Sequence, residues 1–201
     1  MTTSHPNDYH SDLTEDRLNI IARKMLKMVY LTYDTNSTDY DGRWTLGSVI
    51  FGRVKNMLEM MALESEYPWF GLAKSGMDIT PTIGSVPFRF ATDDPNAPKK
   101  SHILDQNPAE LRQMGFAFSV EQDLKWRWYI EKGYSEFDTP KVTFVGLDCL
   151  SNNLVCEWAY TGNIPSIHAV DSERKGSVIQ SEPAVQLPAA GVTIKKPQNS
   201  D

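Results

Sequence analysis

The sequence predicts an α+β domain: two N-terminal helices packed on a mainly antiparallel β-sheet, with one short helix inserted and an extended C-terminal tail. Three observations predict it. Apolar residues recur at helical intervals through the first third of the chain. After "EYPWFG" the period shortens from about 3.6 to about 2. The later apolar runs are joined mostly by short turn-forming stretches, which favours antiparallel neighbours.

Bulk properties narrow the function classes. A chain of 201 residues suits one full-sized domain and is short for two. Its net charge of -6 argues against a protein that grips nucleic acid over a wide face, which needs clustered Lys and Arg. No apolar run approaches the ~20 residues that span a bilayer, so no membrane association is expected. The start, "MTTSHPNDYHSDLTED", has neither the basic opening nor the apolar core of a signal peptide. Two cysteines fit a reducing compartment, and the expected location is cytoplasmic.

The elements follow in order. Residues 1–11 read as a disordered leader, with His5, His10, Asp8 and Asp12 as a competing metal-ligand reading. A helix is predicted from Asp12, with Glu15 at capping-box spacing and Leu18, Ile21, Met25 and Val29 on its apolar stripe. "YDTNSTDYDG" is turn chemistry. A second helix runs from about Thr45 to Glu64. Gly47 and Gly52 each cost it about 1 kcal/mol, for which a close helix crossing is the expected compensation. "MDITPTIGSVPFRF" reads as a hairpin turning near Ile83-Gly84-Ser85, with Pro81 and Pro87 pointing to short or edge strands. A polar loop follows, then a compact helix with Asn107 as cap, Pro108 in the first turn and Glu110 closing the box. "LKWRWYIEK" alternates cleanly: Leu124, Trp126, Trp128 and Ile130 share one face. "KVTFVGLDCL" and "LVCEWAY" supply two further strands. The domain is expected to span 12–165, with 166–201 as an extended or disordered tail.

Familiar catalytic motifs are absent, and no catalytic residue is assigned. Two constellations carry what chemistry the sequence offers. If Asn152-Asn153 form a two-residue turn, Cys149 faces Cys156 and Asp148 faces Glu157. The thiols then read as core residues, and a cross-strand bridge between them would close too short a loop to add much stability. The facing carboxylates of Asp148 and Glu157 repel. Solvent, a Lys or Arg from elsewhere, or a divalent cation could relieve them, and that cation is the one cofactor the sequence suggests. The second constellation is Lys125, Arg127 and Tyr129, basic and aromatic side chains on the polar face of "KWRWY". Nucleic-acid contact would need the tryptophans on that face too, so a solvated sheet face is the expectation and nucleic acid is not expected as a partner. His102 with Asp105, and Arg89 between Phe88 and Phe90, read as local structure.

The resulting functional expectation is a non-enzymatic interaction or regulatory protein. It would bind a macromolecular partner, in all expectation a protein, through a sheet edge or the C-terminal tail. The alternative is a metal-assisted hydrolase using Asp148 and Glu157.

Overall fold

The computed structural model describes residues 4–36, 38–115, 124–133 and 139–160. The chain divides into two units, Met1–Ile164 and Pro165–Asp201. The tail expected at 166–201 lies outside the described residues.

Two long helices come first. Helix α1 spans Glu15–Thr35 and buries Leu18, Ile21, Met25 and Val29, the stripe that its spacing predicts. Its cap is Thr14, whose hydroxyl accepts from the Arg17 amide. Asp12, expected to cap, does another job: its carboxylate accepts from the Ser85 amide and from Arg17. Helix α2 spans Arg43–Leu63 and buries Ile50, Val54, Leu58 and Met61. Each such side chain contributes about 1.5–3 kcal/mol when removed from water.

Residues Pro6–Asp8 form a 3-10 turn capped by His5. His5 Nε2 lies 2.8 Å from Glu15, and the same carboxylate accepts from the Trp158 indole. His10 meets the Ser85 hydroxyl. The two histidines anchor this segment to the domain by hydrogen bonds.

Six strands follow: β1 (Phe70–Lys74), β2 (Thr80–Ile83), β3 (Val86–Ala91), β4 (Leu124–Glu131), β5 (Lys141–Asp148) and β6 (Leu154–Tyr160). They lie in sequence order in one sheet. The β2–β3 turn uses Gly84 at φ 59°, a left-handed conformation that glycine adopts without strain. Strand β1 was not visible in the sequence, and it covers β2, so Pro81 and Pro87 are not at an edge. They do shorten the ladder: β2 and β3 pair at two positions, Thr82 with Pro87 and Ile83 with Val86.

The sheet is antiparallel except between β3 and β4, which run parallel from Phe88↔Trp126 to Ala91↔Tyr129. Parallel neighbours need a crossover. The connection from 92 to 123 supplies it, carrying a 3-10 turn at Ser101–Ile103 and helix α3 at Pro108–Gly115.

That crossover closes the second face of the sheet. On the first face, α1 and α2 pack on Phe88, Trp126, Trp128, Ile130 and Phe144. Trp128 sits among Phe88, Phe144 and Trp158, with its indole N–H unpartnered among the described residues. On the other face, Ile103 packs against Ala91, Tyr129, Val145 and Leu147. The helices therefore do not all lie on one side, and the polar face of β4 is not solvated.

Candidate functional site

The residues singled out by sequence fall into two places, neither of them a site as expected. The β5–β6 pair has Val145 opposite Glu157 and Gly146 opposite Cys156, with a bulge between Gly146 and Leu147. The two-residue turn at Asn152-Asn153 does not form. The chain turns over Cys149–Asn153, and Asn152 alone takes positive φ. The register differs from the expected one by three residues, and an odd shift exchanges faces. Val145 and Leu147 lie on the face opposite that of Cys156, and Asp148 does not oppose Glu157.

Each acid has its own partners. Asp148 opposes Leu124 of β4 and accepts from the Ser151 amide and hydroxyl and the Leu150 amide. Those bonds, the Ser151 amide first, hold its carboxyl below the usual range. Glu157 lies 3.9 Å from Lys141. Among the described residues no group of three or more His, Cys, Asp or Glu gathers as a metal centre would require. The carboxylate pair behind the hydrolase alternative is thus not assembled. The thiols are apart as well. Cys156 is fully buried, which pushes its thiol up to about 11, and Cys149 sits in the turn.

Lys125, Arg127 and Tyr129 are 4%, 0% and 1% exposed, so they cannot meet a nucleic acid. They are the structural floor for the crossover. Arg127 donates to Glu110 at 2.5 Å and to the carbonyls of Ile103 and Asp105. Arg89 donates to the carbonyls of His102 and Asp105 and pairs with Asp78 at 2.7 Å. Glu110 also accepts from the Asn107 amide, and the Asn107 side chain accepts from the Ala109 and Glu110 amides. The predicted cap of α3 is present and is tied into a buried ion pair. Lys125 donates to the Asn152 side chain, which fastens the β5–β6 turn to β4. Burial lowers the Lys125 ammonium, with Arg127 adding to it.

The concave feature lies elsewhere. A cleft of about 940 Å³ opens where β3 and β4 end, between those strands and the first half of α2. Crevices beyond the carboxyl ends of parallel strands are where sheets commonly hold ligands. Its floor is apolar. Phe51 of α2 stacks on Phe90 of β3 with ring centroids 5.0 Å apart, beside Ile130 of β4. Trp44 and Met77 stand at the lining with 83% and 76% exposure, well beyond what core packing would leave.

Cations converge over this floor. Arg43 comes from the start of α2, Lys99 and Lys100 from the loop after β3, and Lys132 from the end of β4. Lys100 donates to the Thr92 hydroxyl at 2.9 Å, and Lys132 donates to the Arg43 carbonyl at 2.8 Å. Burial lowers the Lys132 ammonium, and the charges of Arg43 and Lys100 lower it further, with Asp93 opposing them. Asp93 spends much of its acceptor capacity on the Lys99 and Lys100 amides. Lys55 is held by Glu59 at 2.7 Å.

The α2 glycines acquire a reason here. A Cβ on Gly47 would lie 2.6 Å from Lys132 Nζ, so Gly47 clears the path by which that amine reaches Arg43. A Cβ on Gly52 would meet nothing within 4 Å, and Gly52 faces the cleft. The helix crossing expected to repay these glycines is not what they serve.

Sequence reasoning missed this site because its residues are spread over α2, β1–β2, the loop after β3 and the end of β4. The paired glycines and the "KK" of the 92–100 loop were its traces. Comparison with family models, with curated proteins and with solved structures returned no match.

Proposed function

We propose that the protein binds an anionic small molecule with an apolar body in the cleft beside α2. The observation that carries this reading is the convergence of Arg43, Lys100 and Lys132 above the Phe51–Phe90 stack. An apolar floor supplies contact area, and a few placed cations supply orientation. A carboxylate or phosphate fits those cations, and an aromatic or branched aliphatic body fits the floor.

The test is ligand-observed NMR with 3-phenylpropanoate, which joins one carboxylate to one aromatic ring. Binding of about millimolar affinity or tighter is expected for so small a molecule. Lys100→Glu should weaken it at least about tenfold through charge reversal, and Phe51→Ala through lost contact. Affinity indifferent to both changes would overturn the reading.

Docking of a protein partner on the sheet edge keeps one support. Among the described residues β6 is the last strand of the sheet and presents an outer ladder with no neighbouring strand. A photo-crosslinker placed at Val155 should give one defined adduct in the source cell, far above the yield from exposed Leu63 on α2. Equal yields at the two positions would dispose of it.

A further inference from the structure

The chemistry of Lys132 goes further than charge. Its side chain is half-buried, its amine lies over Gly47, and it lines a cleft whose floor is aromatic. Among the described residues, the charged groups acting on it are Arg43 from α2, and Lys100 and Asp93 from the loop after β3. Glu131, its neighbour on β4, is engaged by Thr143 and Lys141 at 3.2 Å and 3.7 Å. Among the described residues, two cations and one anion therefore act on the amine, on top of its loss of water. Both effects favour the uncharged form, the form in which a lysine is a nucleophile.

Resting on the anion-binding reading above, we propose that Lys132 forms an imine with the carbonyl carbon of a bound 2-oxo acid. The carboxylate of such a ligand would engage Arg43 and Lys100, and its apolar body would lie on Phe51 and Phe90. The carbonyl is then brought to the end of the Lys132 side chain. In the reaction the nitrogen lone pair attacks the carbonyl carbon and the C–O π pair moves to oxygen. The two N–H hydrogens leave with that oxygen as water, and a C=N bond replaces C=O. No oxidant or metal enters, and no redox change occurs.

Phenylpyruvate is the probe, with sodium cyanoborohydride as the trapping reductant. Hydride adds to the imine carbon and a proton from water to nitrogen, which leaves a stable secondary amine that peptide mapping by mass spectrometry locates. The peptide carrying Lys132 should be labelled at least about tenfold faster than any other lysine peptide, because a bound carbonyl raises its local concentration at that amine. Excess 3-phenylpropanoate, which has no carbonyl, should suppress the label. Lys132 should also become labelled at lower pH than the exposed lysines, because its amine becomes neutral earlier.

The outcomes separate cleanly. Selective, suppressible labelling at Lys132 supports both the imine and the cleft. Binding of 3-phenylpropanoate with label absent or scattered over exposed lysines overturns the imine and leaves the anion-binding reading standing. Neither binding nor label overturns both. Lys132→Met, checked for a cooperative melt, should lose the label at that position with no increase at Lys100; transfer to Lys100 at equal rate would also sink the assignment.

Discussion

Gly47 and Gly52 both line the cleft from α2, yet their surroundings differ. A methyl at 47 collides with the Lys132 amine, and a methyl at 52 meets open space. Gly52→Ala is therefore expected to stabilise the fold by about 0.5–1 kcal/mol, since alanine propagates a helix better than glycine and nothing obstructs it. Gly47→Ala gains the same propensity but pushes Lys132 off the Arg43 carbonyl. Chemical denaturation and the Lys132 labelling rate together check this: stability should rise at 52 with labelling kept, and labelling should fall at 47. Asp12 shows the same dependence on context. Its carboxyl is desolvated, which raises it, but the Ser85 amide and Arg17 outweigh that and the net shift is downward. A residue that looked like a helix cap instead ties the head of α1 to the β2–β3 turn.

Among the elements, α3 was the most legible and its purpose the least. Asn107, Pro108 and Glu110 carry a helix start in their types and spacing, and the structure has that start. What no local pattern shows is that Glu110, at 1% exposure, is also the counter-charge of fully buried Arg127. Removing one partner of a buried pair strands the other. Arg127→Met is expected to cost about 3–5 kcal/mol in urea unfolding, and Arg127→Met with Glu110→Leu to recover a large part of it. Full recovery is not expected, because Glu110 also accepts from the Asn107 amide and Arg127 holds the Ile103 and Asp105 carbonyls. A single-variant cost under about 1 kcal/mol would mean the pair is solvated. Strand β4 shows the opposite balance. Its alternation placed every residue on its true face, but the face taken for solvent is roofed by the crossover.

For the molecule as a whole, the parallel β3–β4 pair decides where chemistry can occur. It forces the long crossover, and the crossover covers Lys125, Arg127 and Tyr129. It also brings two strand ends to the head of α2, where the cleft opens. The 32 residues between these strands, with a helix among them, are long enough for a parallel crossover, a hint that is legible in the sequence. Electrostatics act at this scale too. The chain carries -6 overall while the cleft gathers cations, so ligand affinity should fall with added salt even though the protein is acidic.

By itself the sequence determined the class of the fold, the two helical stripes, the cap of α3 and the alternation of β4. All of these are set by residues within a few positions of one another, where periodicity and capping act. Tertiary structure alone decided the β5–β6 register, the roof over the second face and the cleft. The register turned on one bulge and a longer turn, and a three-residue slip is enough to exchange faces. The roof and the cleft depend on groups brought together from distant parts of the chain, whose pairing is settled by burial and charge once the sheet has formed.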